Sequence, residues 1–75
     1  FYGLVFCQTK VLVTDLTNLL QSRGYKVDCL HGDKPQTERE RILKRFKAKE
    51  MMILVCTDVA ARGLDVKELT HVINY

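Results

Sequence analysis

Residues 51–66 read MMILVCTDVAARGLDV, six apolar residues in a row followed by a polar cluster that holds Thr57, Asp58, Arg62 and Asp65. A short uninterrupted apolar run marks a strand buried on both faces, and such strands occur in parallel sheets covered by helices on either side. In open α/β sheets, ligands gather outside the carboxyl ends of the strands. A dense polar cluster directly after a buried strand therefore puts chemistry where such sheets bind.

Working outward, GLVFC (3–7) is a second continuous apolar strand, and HVINY (71–75) reads as a further one. YKVDCL (25–30) alternates apolar with polar residues, which fits a strand nearer the sheet edge. In KVLVTDLTNLLQSRG (10–24), Leu12, Leu16, Leu19 and Leu20 recur at helical spacing and Gly24 closes the stretch as a C-cap. HGDKPQTERERILKRF (31–46) opens a second helix. Pro35 suits its first turn, and Thr37 with Glu40 equally fits a capping box that starts it two residues later. Either start leaves Ile42, Leu43 and Phe46 as the buried stripe. Strand, helix, strand, helix, strand, short turn and strand is the order that produces right-handed crossovers and a parallel α/β sheet.

The chain has 75 residues, 47% hydrophobic and 28% charged, the balance of a soluble globular protein and at most one domain. At this size a fold buries roughly 60% of the surface of its unfolded chain, so the core is thin. No apolar run approaches a membrane span and no signal peptide is evident. The start at Phe1 without a methionine, and the stop at Tyr75 inside an apolar stretch, predict a piece of a longer protein. Cys7, Cys29 and Cys56 lie far apart without CxxC spacing, and neither His31 nor His71 stands at ligand distance from them. They read as buried hydrophobes in a reducing cytosol, with no metal site. The net charge is only +3, but Arg39, Arg41, Lys44, Arg45, Lys47 and Lys49 crowd one stretch whose sole acid is Glu40. Such a run is either a solvated helix face or a surface that meets a polyanion.

Three polar clusters follow three strands and so share one rim: CQTK (7–10), HGDKPQ (31–36) and TDVAARGLD (57–65). Gln8, Thr9 and Lys10 offer hydrogen-bond donors beyond a strand end, although capping by Thr9 explains them nearly as well. Gly32 allows close approach, and the helix after it presents unpaired N–H groups and a positive dipole end, a ready phosphate site. Gln36 and Arg39 are three apart and share a face of its first turn; capping and solubilising the helix is their plainer use. The third cluster is more specific. Thr57 can donate to a phosphate oxygen, Ala60 and Ala61 allow close packing, Gly63 permits an unusual backbone angle, and Asp65 can accept from a ribose hydroxyl. With glycines only at 3, 24, 32 and 63, neither GxxxxGK[ST] nor GxGxxG can be drawn. There is no Ser/His/Asp order, paired-carboxylate site or HExxH helix either.

Taken together, LVFCQTK, HGDKPQTER, TDVAARGLDV and HVINY closely resemble the DEAD-box family of ATP-dependent RNA helicases. The likeness is to the second of the family's two RecA-like domains, over nearly all 75 residues and in the family's order. It implies a three-layer α/β/α RecA-like fold, here an incomplete domain spanning residues 1–75. It further implies a two-lobed ATPase in which RNA lies across both lobes and ATP sits between them. Carried over by position, Gln8, Thr9, Lys10, Gly32, Gln36, Arg39 and Thr57 would touch the RNA sugar-phosphate backbone. Gly63 and Asp65 would face ATP, with its magnesium held mainly by the first lobe, while Asp58 and Arg62 would brace the motif and couple the two sites. No catalytic or metal-binding residue is assigned within the chain. The family's arginine-rich sixth motif, source of an arginine finger, would follow Tyr75, so the segment by itself is expected to hydrolyse no ATP. One departure is Pro35, where family members often carry a capping serine.

The partners so implied are RNA, read without regard to sequence, and the protein's own first lobe, with no membrane and a cytoplasmic, bacterial-type location. A DNA helicase or translocase lobe of a related superfamily-two branch is the nearest alternative; the Ala-Ala-Arg-Gly-Leu-Asp wording and Gln36-x-x-Arg39 favour the RNA branch. A non-catalytic helicase-like scaffold is the other, and it would have no need of Arg39 and Asp65.

Overall fold

The computed structural model of the chain describes residues 1–61, 64 and 69–75. Along it run β1 (Gly3–Cys7), α1 (Lys10–Ser22), β2 (Val27–Leu30), α2 (Gln36–Lys47), β3 (Ile53–Thr57), α3 (Asp58–Ala61) and β4 (His71–Asn74). The strands form one sheet in the order β2-β3-β1-β4, every pair parallel. The alternating segment β2 stands at an edge, as its pattern predicts, and the two continuous apolar runs are the central strands.

The reason lies in where β3 sends its side chains. Ile53 and Val55 join Val5, Cys7, Val13 and Val27 on the α1 face. Leu54 and Cys56 point the other way, to Leu4, Leu30, Ile42 and Phe46 on the α2 face. A strand covered on both faces has no polar alternation to show, hence its apolar run. Phe46 is completely buried and seats α2 against Tyr2, whose ring lies 4.7 Å from its own and whose hydroxyl donates to the Phe46 carbonyl at 2.6 Å. Both α2 residues expected in the core besides Phe46 are found there, Ile42 buried and Leu43 packed at the margin. Burial also raises the thiols of Cys7 and Cys56, the latter to about 12, with Cys7 and Asp58 adding to the effect at Cys56. These two cysteines are protonated at neutral pH, in keeping with a purely packing role.

The stripe expected on α1 needs correction. Val13 and Thr17 are its buried residues, with Leu16 and Leu20 partly covered, whereas Leu12 is 37% and Leu19 47% exposed. The true stripe, Val13-Leu16-Thr17-Leu20, is turned toward the sheet by a fraction of a helical turn relative to the leucines. Thr17 misleads a reading by polarity because its hydroxyl donates back to the Val13 carbonyl at 2.7 Å, which lets it be buried without an unsatisfied group.

Both long helices end in the same motif. After α1, Gly24 N–H donates to Gln21 and Tyr25 N–H to Leu20, with Gly24 at φ 87°. After α2, Lys49 N–H donates to Phe46 and Glu50 N–H to Arg45, with Lys49 at φ 60°. These are Schellman caps, and the first uses the residue best suited to a left-handed backbone. Lys49 bears the steric cost of that conformation, and its ammonium lies over the Tyr2 ring, 5.3 Å from the centroid. At the start of β1, Gly3 is required by crowding, since a Cβ there would meet the His71 carbonyl and the Phe1 ring at 2.7 Å.

The two faces make a quantitative contrast. In chemical denaturation, Phe46→Ala should cost about 3–5 kcal/mol, a large part of the stability of a small domain. Leu19→Ala, on the exposed side of α1, should cost less than about 1 kcal/mol. Equal losses would show that the burial assigned to α1 is wrong.

Candidate nucleic-acid interface

Parallel register fixes where the loops emerge. Cys7 at the end of β1 lies opposite Thr57 of β3, and Leu30 at the end of β2 lies opposite Cys56. The segments after β1, β2 and β3 therefore leave the sheet from one edge, which brings the three polar clusters together. Arg62, Gly63 and Asp65 lie outside the described residues.

On the α2 side of the edge, the helix begins at Gln36 with Pro35 as its N-cap residue. Of the two possible starts, the proline start is the one adopted, and Thr37 sits inside the helix. Pro35 supplies no side-chain cap, and the first backbone bond runs from Arg39 N–H to the Pro35 carbonyl. The N–H groups of Gln36, Thr37 and Glu38 thus precede the helical ladder, and the positive end of the dipole stays open to an anion. Gln36 and Arg39 stand one turn apart, but their head groups part: the Gln36 amide donates to Glu40 at 3.3 Å, whereas Arg39 Nη2 donates to the Ala60 carbonyl at 3.4 Å. Arg39 Nε is buried, with no hydrogen-bond partner among the described residues. Thr57 caps α3, accepting from Ala60 N–H at 3.3 Å. Arg39, Ala60 and Thr57 thereby form one connected group, with Asp58 exposed in the first turn of α3.

The α1 side holds a second group. Thr9 is the N-cap of α1 and accepts from Leu12 N–H at 3.2 Å, so capping occupies at least one lone pair of its hydroxyl. Gln8 beside it is exposed. Lys10, the first residue of α1, reaches to Asp33, in the turn after β2, and pairs with it at 2.7 Å. That turn is closed by Lys34 N–H donating to the His31 carbonyl at 3.2 Å, and Asp33 N–H donates to His31 Nδ1 at 3.3 Å. Gly32 in the same turn has nothing within 4 Å of the place a Cβ would take, so no other part of the described chain uses its freedom. Lys10 holds the Asp33 carboxyl below its ordinary range, by hydrogen bond first and charge second, with a smaller contribution from His31.

Asp33 and His31 were not singled out by sequence reading. The only signal was one acid in HGDK, and its partner could not be found without knowing that the start of α1 and the turn after β2 meet. Among the described residues there is no cluster of His, Cys, Asp and Glu that could hold a metal ion, and no helix long and apolar enough to cross a membrane.

Against this geometry stand the comparisons with known proteins. The helicase conserved C-terminal domain family matches residues 3–75. The probable ATP-dependent RNA helicase MJ0669 of Methanocaldococcus jannaschii is 48% identical over all of this chain, which spans 20% of that protein. The crystal structure of a DEAD box protein from the hyperthermophile Methanococcus jannaschii superposes with a TM-score of 0.91 at 48% identity, covering 100% of this chain and 21% of that one. Domain 2 of the DEAD-box helicase Mss116p, solved bound to an RNA duplex, superposes at 0.86 with 32% identity, covering 99% of this chain and 30% of that one. The chain thus spans about a fifth of the length of the helicase relative it matches.

The Lys10–Asp33 pair gives a pH test. A carboxyl with a depressed folded-state pKa contributes stability that is present above its unfolded value and lost as pH falls through the folded one. Carbon-13 titration should therefore place the Asp33 midpoint below 3.8, the ordinary value, and Lys10→Ala should bring it back up.

Proposed function

The chain belongs to the helicase conserved C-terminal domain family, of the DEAD-box type, and from that premise we propose that it is the RNA-binding and ATP-contacting second lobe of an ATP-dependent RNA helicase. The observation that carries the reading is the convergence of Arg39, Ala60 and Thr57 beside the open amino end of α2. A phosphodiester resting there meets backbone amides, a guanidinium and a hydroxyl at once. The solved Mss116p domain 2, bound to an RNA duplex, supports the same choice of ligand.

In this reading Gln8, Thr9, Lys10, Gly32, Gln36, Arg39 and Thr57 line the path of the sugar-phosphate backbone. Such contacts orient a strand but carry no sequence information, so binding is salt-sensitive and indifferent to base identity. The nucleotide side is narrower. This chain would bring Gly63 and Asp65 to ATP, Asp65 as acceptor for a ribose hydroxyl, and has no phosphate loop of its own. The phosphates and magnesium would then be held chiefly by the first lobe, and ATP would supply the binding energy that favours a closed arrangement of lobes. Asp58 and Arg62 would couple the two sites. Closure would distort the bound strand, a population shift driven by preference of the ligands for the closed state.

Two substitutions in the intact polypeptide test the two halves separately. Arg39→Ala should weaken RNA binding and flatten the dependence of log affinity on log salt by roughly 0.7, the share of one single-strand phosphate contact; an unchanged slope would remove Arg39 from the RNA path. Asp65→Ala should weaken ATP-dependent unwinding while leaving nucleotide-free RNA affinity near wild type, and unaltered unwinding would count against the ribose contact.

A further inference from the structure

Among the described residues, the ion pairs of the rim differ in kind. Lys34 and Asp28, at 3.4 Å, are largely covered and brace the turn after β2, while Arg41 and Glu38, at 3.8 Å, lie along one helix. Lys10 and Asp33 form the closest pair, at 2.7 Å, join two different rim segments, and leave their side chains 60% and 62% exposed. The pair sits at a cleft of about 300 Å³ also lined by Val11, Thr14, Asp15 and His31. An exposed bridge of this type is weak, because water solvates both partners and salt screens them. It is therefore easily exchanged for another anion of similar geometry.

We propose that Asp33 is an internal stand-in for a backbone phosphate: its carboxylate occupies the Lys10 ammonium until an RNA strand displaces it. The inference rests on the RNA-binding reading and adds to it a residue that sets affinity by competition. Lys10 presents three donors and keeps most of its surface in solvent, so a phosphate oxygen can take the place of Oδ2 without reshaping the loop. The exchange leaves Asp33 bare beside a polyanion, with Asp15 a second carboxylate in the same cleft. Binding at Lys10 therefore gains less than a free lysine would give. A helicase lobe that must release its strand has a use for such a limit.

The test compares Asp33→Asn with wild type in the intact polypeptide, using fluorescent single-stranded oligouridylate over a range of salt. Removing the competing charge should tighten binding roughly twofold to fivefold at low salt, the range spanned by exposed ion pairs, and steepen the salt dependence by about 0.7. In a Lys10→Ala background the same change should have no effect. A second readout is independent of affinity: saturating RNA should raise the Asp33 carboxyl midpoint toward its ordinary range as Lys10 changes partner. Equal or weaker binding by Asp33→Asn, or an Asp33 titration that RNA does not move, would overturn the proposal while wild-type binding persists. A wild type with no salt-dependent RNA binding would overturn the RNA reading itself, and this inference with it.

Discussion

The covering of β3 on both faces is the constraint on which the rest of the molecule depends. A strand placed between two apolar layers must be continuous in its hydrophobicity, must lie inside the sheet, and can be connected to parallel neighbours only by crossovers that leave from one end. From the alternation of Ile53 and Val55 with Leu54 and Cys56 follow the positions of α1 and α2. The common exit edge of the three polar segments follows as well. Function is placed by this packing before any functional side chain is considered.

The edge so created is divided. On the α2 side, an arginine ties α2 to α3 through a main-chain carbonyl, and Thr57 secures the first turn of α3. On the α1 side, a lysine at the start of α1 and an aspartate from the turn after β2 find each other in solvent. The first group is anchored by hydrogen bonds to backbone and half-buried, which gives it fixed geometry. The second is a charged hydrogen bond between two exposed side chains. A ribose-phosphate chain crossing both would meet a rigid contact and an exchangeable one.

How much of this was legible in the sequence varies with the range of the interaction. The parallel sheet, the outer place of β2 and the shared edge follow from continuous runs, alternation and helical spacing, because those patterns record which faces are covered. Local chemistry served well at Gly24, whose left-handed backbone is announced by the residue type. It was silent at Lys49, which adopts the same conformation in the same cap; nothing in KAKE distinguishes it until Tyr2 is known to lie beneath its ammonium. The leucine stripe of α1 failed for a related reason. A stripe drawn through leucines leaves out Thr17, and only its bond to the Val13 carbonyl shows how a hydroxyl can be buried at no loss. The motif residues of the rim were legible as residue types, whereas the parting of Gln36 from Arg39 and the meeting of Lys10 with Asp33 depend on distances that one sequence does not encode.

The two margins of the sheet are unlike each other. β2 carries Asp28 within it and Lys26 just before it, charges of the sort that discourage another chain from adding on. β4 has all four residues exposed, with Val72, Ile73 and Tyr75 in solvent and, among the described residues, no strand along its outer side. Its peptide groups and its apolar side chains together form a template for β-augmentation. Where a further parallel strand is offered to it, this edge has both the free peptide groups and the apolar surface to accept it.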